Sequence, residues 1–139
     1  MNIAPALNHV NLMTHDMDRM IDFYTNTMGF RVGPRPPFNN NGTWLYLGEF
    51  ALVHLVETDQ EPRNEDPKIA HFAFSGTGMG EFAAHLRGLE VAHTFRLVPD
   101  TEIVQVVLRD PDRNVFEVLF DHSSMEGTEP YRWNEPMPT

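Results

Sequence analysis

Three imidazoles and one carboxylate stand at corresponding places in two stretches of this chain. His9 and His54 are 45 positions apart, and His71 and Glu117 are 46 apart. Imidazole nitrogens and a carboxylate are a common donor set for a divalent transition metal. Each of the four sits in a short run that reads as a strand, where side chains alternate faces. In the first run Leu7, His9 and Asn11 share a face, opposite Val10 and Leu12. In the others, Leu52, His54 and Val56 oppose Val53 and Leu55; His71, Ala73 and Ser75 oppose Phe72 and Phe74; Val115, Glu117 and Leu119 oppose Phe116, Val118 and Phe120. The apolar face of each half can cover a helix, and the other face carries the four donors. Each half is thus expected to place one donor mid-way along its first strand and one along its last. A pseudo-twofold axis between the halves would bring the four together.

A histidine on an apolar strand can equally be a hydrogen-bonded core or rim residue. Glu117 fits that alternative less easily. A carboxylate inside VFEVLF is costly to bury unless a cation faces it, and Arg109 or Arg96 could supply one in place of a metal.

The elements that must position these groups are legible from periodicity. ALNHVNLMT (5–13) and KIAHFAFSG (68–76) are faint copies of one another, and a helical pattern follows each. Met17, Met20, Ile21, Tyr24 and Met28 fall on one helix face, with Thr14 or Asp16 able to cap its start and Gly29 to stop it. Met79, Phe82, Ala83 and Leu86 repeat the spacing, with Gly88 near the end. Strands are expected at Phe30–Val32, Thr43–Leu47 and Phe50–Glu57, then at Val91–Leu97, Glu102–Arg109 and Val115–Phe120, with Gly- and Pro-containing turns between them. Each half therefore reads β-α-β-β-β. The expected organisation is a single domain over 1–139: module one at 5–57, an acidic linker at 58–67, module two at 68–120 and an irregular tail at 121–139. The fold class is α+β, with curved mixed sheets around a metal-lined cup and the helices on the outer face.

Composition narrows the partners. The chain has 139 residues, 41% hydrophobic and 22% charged, an ordinary globular balance. There is no cysteine, which removes disulfides, zinc-thiolate sites and cysteine nucleophiles. Ten Lys and Arg against 20 Asp and Glu leave a formal charge of −10, and such a surface repels phosphate backbones and anionic membranes. No nucleic-acid or membrane partner is expected. With no apolar run near membrane-spanning length and no signal-peptide pattern at the start, the expected location is cytoplasmic. A Gly-rich P-loop and a G-x-S-x-G elbow are both absent, which argues against phosphotransferase and serine-hydrolase readings.

LNHVNLMTHDMDRMIDFYTNTMGF, WLYLGEFALVHLVE, IAHFAF and VVLRDPDRNVFEVLF together resemble the vicinal oxygen chelate superfamily over residues 5–120. That group holds glyoxalase I, fosfomycin-resistance enzymes, bleomycin-binding proteins, methylmalonyl-CoA epimerase and extradiol dioxygenases. The resemblance puts the family's metal positions on His9, His54, His71 and Glu117. Two departures stand out: His54 occupies a position that is often Glu or Gln in glyoxalase-like members, and Arg113 stands where a turn glycine is usual.

The resemblance implies an enzyme dependent on a divalent metal (Zn, Ni, Mn or Fe) and acting on a small molecule with vicinal oxygens. A lyase or isomerase with four ligands would use Glu117 as base. If His54 stays off the metal, His9, His71 and Glu117 form a two-His-one-carboxylate face suited to Fe(II) and oxygen chemistry, with His54 as acid/base. IVQVVLRDP lacks the tyrosine that extradiol dioxygenases usually carry there, which favours the first class. A third reading is a non-catalytic binding protein, but the bleomycin-binding relatives lack metal ligands. Substrate contacts are expected from Asn11, Arg35, Phe38 and Gln105, with Trp44 and Tyr46 as further aromatic surface or core. A homodimer is expected, since relatives of this size often complete their sites across one.

Overall fold

A computed structural model of the chain describes residues 7–61, 69, 71–98 and 101–121. The chain divides into two compact units, Met1–Arg63 and Asn64–Thr139. The expected tail after Asp121 and most of the acidic linker lie outside the described residues.

Unit one runs β1 (Val10–Thr14), α1 (Met17–Asn26), β2 (Arg31–Gly33), β3 (Gly42–Leu47) and β4 (Phe50–Glu57). Its sheet has the order β1-β4-β3-β2, with β1 parallel to β4 and the other pairs antiparallel. Of the two caps the sequence offers for α1, Asp16 is the one used, and Thr14 supports it from the turn before. The Asp16 carboxylate accepts the Arg19 N–H at 3.1 Å, and Thr14 Oγ1 accepts the Asp16 N–H at 3.1 Å. The Met20 and Tyr24 face is fully buried, and α1 packs on β2, β3 and β4. Gly29 takes a left-handed conformation (φ +71°), which turns the chain so that Phe30 meets Tyr24 edge-on at 5.7 Å. Leu45, Val53 and Leu55 complete this core, each side chain contributing roughly 1.5–3 kcal/mol by leaving water.

Unit two repeats the plan with β5 (Phe72–Ser75), α2 (Met79–Gly88), β6 (His93–Leu97), β7 (Ile103–Arg109) and β8 (Val115–Asp121). The sheet order is β5-β8-β7-β6, again with one parallel pair, β5 with β8. The α+β class with two β-α-β-β-β modules is as the sequence predicts. Each sheet is open rather than closed on itself.

Two turns hold a non-glycine residue in the left-handed region. Gly88 is the last residue of α2, at the end as expected, and Glu90 takes the left-handed position at φ +56°. The Val91 N–H donates to the Leu86 carbonyl at 2.9 Å and the Glu90 N–H to the Arg87 carbonyl at 3.1 Å, so the helix end is satisfied by backbone geometry that a glycine would normally supply. Arg113, at the turn position where the family resemblance implies glycine, has φ +68°. Asp110 holds that turn by accepting the Asn114 backbone N–H at 2.9 Å and its side-chain amide at 2.8 Å.

Candidate functional site

In unit one the site is a row across the sheet. Asn11 of β1 and Trp44 of β3 are both in register with His54 of β4. The Trp44 ring lies 4.0 Å from that of His54 at 8°, and the His9 ring lies 4.0 Å away at 16°. Two rings cannot share one face of an imidazole at that distance, so His54 is sandwiched between them. It is only 8% exposed. Burial pushes its pKa below the ordinary histidine value, and the neighbouring His9 and Arg35 push the same way against a hydrogen bond to the Ala51 backbone. His54 is therefore held neutral, the form that offers a lone pair to a metal or a proton.

His9 lies one residue ahead of β1 and is exposed, not mid-way along the strand as expected. The ladder with β4 begins only at Val10, opposite Val53. His9 Nδ1 is 2.8 Å from Asn8 Oδ1, and in the tautomer that donates to this acceptor Nε2 carries the lone pair. Ring lone pairs lie in the ring plane. With His9 and His54 nearly parallel, they do not converge on one ion until one ring turns, and His9 is the ring free to turn.

The same face opens into a cleft of about 910 Å³ lined by His9, Asn11, Arg35, Phe38, Trp44 and His54, among others. Of the four expected substrate contacts, three therefore line one cavity. The Arg35 guanidinium donates to Asn40 Oδ1 and lies 5.1 Å from the Phe38 ring centroid. Gly42 makes room for this, because a Cβ there would sit 2.5 Å from the Leu55 carbonyl oxygen and 3.1 Å from the guanidinium.

In unit two Glu117 sits mid-way along β8, in register with Ala73 of β5 and Val107 of β7, and is 7% exposed. Gln105 Nε2 donates to its Oε2 at 2.8 Å, while Oε1 is 3.8 Å from His71 Nε2. His71, like His9, stands one residue before its strand and is half-exposed. The expected substrate contact Gln105 thus spends a donor on Glu117. Neither Arg96 nor Arg109 neutralises Glu117; Arg109 Nη1 donates to the Arg113 carbonyl oxygen at 3.1 Å instead.

The donor chemistry fits a divalent ion. An ion about 2.1 Å from each of two donors spans at most about 4.2 Å, and roughly 3.4 Å at a tetrahedral angle. The 3.8 Å between His71 and Glu117 lies within that range. Among the described residues no three His, Asp or Glu groups gather at one point, so the donors stand as two pairs, one in each unit.

Sequence reasoning missed Asn8 as the group that orients His9, and it left Trp44 between surface and core. Asn8 carries no periodic signal, since it and His9 both precede β1. The Trp44 stack could have been found by aligning β3 against β4 through the hairpin at Gly48.

Residues 6–118 match the family model of the Glyoxalase/Bleomycin resistance protein/Dioxygenase superfamily, and the chain belongs to that superfamily. A curated relative, Glyoxylase I 4 of Arabidopsis thaliana, is 28% identical over 121 residues, covering 81% of this chain and 69% of that protein. Among solved structures, a glyoxylase/bleomycin resistance protein/dioxygenase domain from Frankia sp. EAN1pec superposes with a TM-score of 0.70 at 20% identity, over 86% of this chain and 99% of that one. Lactoylglutathione lyase from Agrobacterium tumefaciens gives 0.65 at 20% identity, over 91% and 100%. The fosfomycin resistance protein FosX of Listeria monocytogenes gives 0.62 at 19% identity, over 91% and 97%. At these identities the structural likenesses speak to the fold.

Proposed function

We propose that this protein is a divalent-metal-dependent enzyme of the glyoxalase lyase and isomerase type, acting on a small substrate through two adjacent oxygens. The observation that carries this is Glu117. Its carboxylate is buried with no Lys or Arg partner among the described residues, and it is fixed by Gln105 beside a histidine at ligand spacing. Such a carboxylate is stabilised by a cation. The superfamily membership and the lactoylglutathione lyase likeness support the same class.

His9, His54, His71 and Glu117 would hold the ion, with His9 turning off the His54 ring to do so. A bound divalent ion supplies Lewis acidity to the substrate's vicinal oxygens. The rest of the chemistry belongs to the chain. Gln105 holds Glu117 Oε2, so Oε1 is the oxygen that would face the ion and, once released from it, would take a proton from the substrate carbon and return it. Asn8 keeps the His9 Nε2 lone pair available. The neutral His54 offers the lone pair that an ion takes.

One observation favours a second reading. As the rings stand, His54 is parallel to His9 and does not share an ion with it. His9, His71 and Glu117 would then form a two-His-one-carboxylate face for Fe(II), with His54 as acid/base in a ring-cleaving dioxygenase.

Metal-stripped protein reloaded with nickel, zinc, manganese or iron, and assayed with and without oxygen, separates the two. Turnover of a hydroxy- or keto-carbonyl substrate without oxygen uptake supports the lyase or isomerase. Oxygen-dependent turnover of catechols with iron alone replaces it with the dioxygenase. Turnover unchanged by stripping refutes both.

A further inference from the structure

We propose that the unit-one cleft is a binding site for an aromatic acid: a carboxylate held by Arg35, an aryl ring on the Phe38 and Phe50 surface, and an oxygen next to the carboxylate directed at the His9 and His54 edge. Three independent features lead there. The first is charge. In a protein of net charge −10, Arg35 is the one Arg or Lys among the described residues that lines this cleft, and its side-chain hydrogen bond among those residues goes to a neutral amide, Asn40. A guanidinium with no carboxylate partner among the described residues suits an incoming carboxylate.

The second feature is the wall beside it. Phe38 and Phe50 both line the cleft and are 55% and 72% exposed. Phe38 is 6.1 Å from Trp44, which stacks on His54, so an aromatic series runs from the Arg35 guanidinium to the histidine pair. Flat apolar groups left in water inside a concavity gain most from a flat apolar ligand. The third feature is rigidity. Pro34, Pro36 and Pro37 flank Arg35, and the Tyr46 hydroxyl donates to the Pro34 carbonyl at 2.6 Å, which fixes the loop without occupying the guanidinium.

This names a substrate class for the function proposed above, and it rests on that reading only in directing the ligand's second oxygen toward His9 and His54. Binding by Arg35 and the phenyl surface needs no metal.

Trp44 provides the readout. The chain has two tryptophans, and in a Trp133→Phe background the emission of Trp44 alone reports on the cleft. Three probes are titrated into metal-stripped protein: mandelate, which has the ring, the carboxylate and the adjacent hydroxyl; lactate, which lacks the ring; and 1-phenyl-1,2-ethanediol, which lacks the charge. Calorimetry on the unaltered chain gives the same ordering without the substitution. The expected result is half-saturation by mandelate at least about tenfold below both other probes. Arg35→Gln should then raise the mandelate value about tenfold and leave the diol's unchanged. Equal binding of lactate and mandelate, an Arg35→Gln variant that binds mandelate as before, or no binding of mandelate by either method overturns the proposal. If mandelate binds as expected but stripping metal leaves turnover unchanged, the proposed function fails and this site stands. If the metal results hold and mandelate is not preferred, this inference alone fails.

Discussion

Gln105 and Glu117 face each other diagonally across β7 and β8, with the amide nitrogen 2.8 Å from the carboxylate oxygen Oε2. The bond turns a buried strand carboxylate into an oriented group, with one oxygen held and the other presented toward His71. Gln105→Leu removes the donor and leaves that oxygen buried without it. The expected loss of stability is roughly 1–3 kcal/mol, read as a fall in the urea midpoint at neutral pH. A variant as stable as the parent would mean that Gln105 does not hold Glu117.

His54 should titrate below the ordinary histidine value, because burial and then the neighbouring His9 disfavour its charged form. A proton NMR titration of metal-stripped protein should place its midpoint below 6.5, and Trp44→Leu, which uncovers one ring face, should move it back toward 6.5. The linkage has a definite sign. A folded-state pKa below the unfolded value means that the folded state binds fewer protons. His54 therefore contributes stability that is present above about pH 6.5 and is lost as the pH falls from there toward its folded-state value. A His54→Gln variant should lose less stability than the parent over that range.

Glu90 holds a left-handed conformation at the end of α2, is exposed, and makes no side-chain hydrogen bond among the described residues. Non-glycine residues there cost about 1–2 kcal/mol. Glu90→Gly should raise the thermal midpoint by several degrees, measured by calorimetry, without changing ligand binding. A fall in the midpoint would contradict the Schellman geometry described for this helix end.

A second copy of the chain is the proposed macromolecular partner. Sedimentation velocity should give twice the 16.0 kDa chain mass at micromolar concentration. Sedimentation at the single-chain mass would remove the homodimer from the account.

Much of the fold was readable because its signals are local. The helix face of Met20 and Tyr24, the cap at Asp16, and the strand Phe50–Glu57 all follow from spacing and turn chemistry. Gly88 marks the end of α2 as read, but the left-handed Glu90 two residues on was not legible, because a non-glycine residue gives no signal of that conformation. At the site, strand parity put His54 on a face with Leu52 and Val56, and Glu117 on a face with Val115 and Leu119, but it did not pair Gln105 with Glu117, which takes the register of β7 on β8. Parity could not say that His9 and His71 precede their strands, since the first residue of a ladder depends on where its partner strand begins. Nor could it foresee that a tryptophan and a histidine would sandwich His54, which takes the register between β1, β4 and β3 together.

The claim on which the rest depends is that the His9/His54 pair and the His71/Glu117 pair serve one ion. Titration calorimetry of metal-stripped protein with nickel, repeated on His9→Ala, His71→Ala and Glu117→Gln, tests it directly. The account predicts about one ion per chain in the unaltered protein, with variants of either pair weakening that same site by about tenfold or more. Nickel affinity and stoichiometry unchanged by His71→Ala and Glu117→Gln, or two independent sites each sensitive to only one pair, would contradict it.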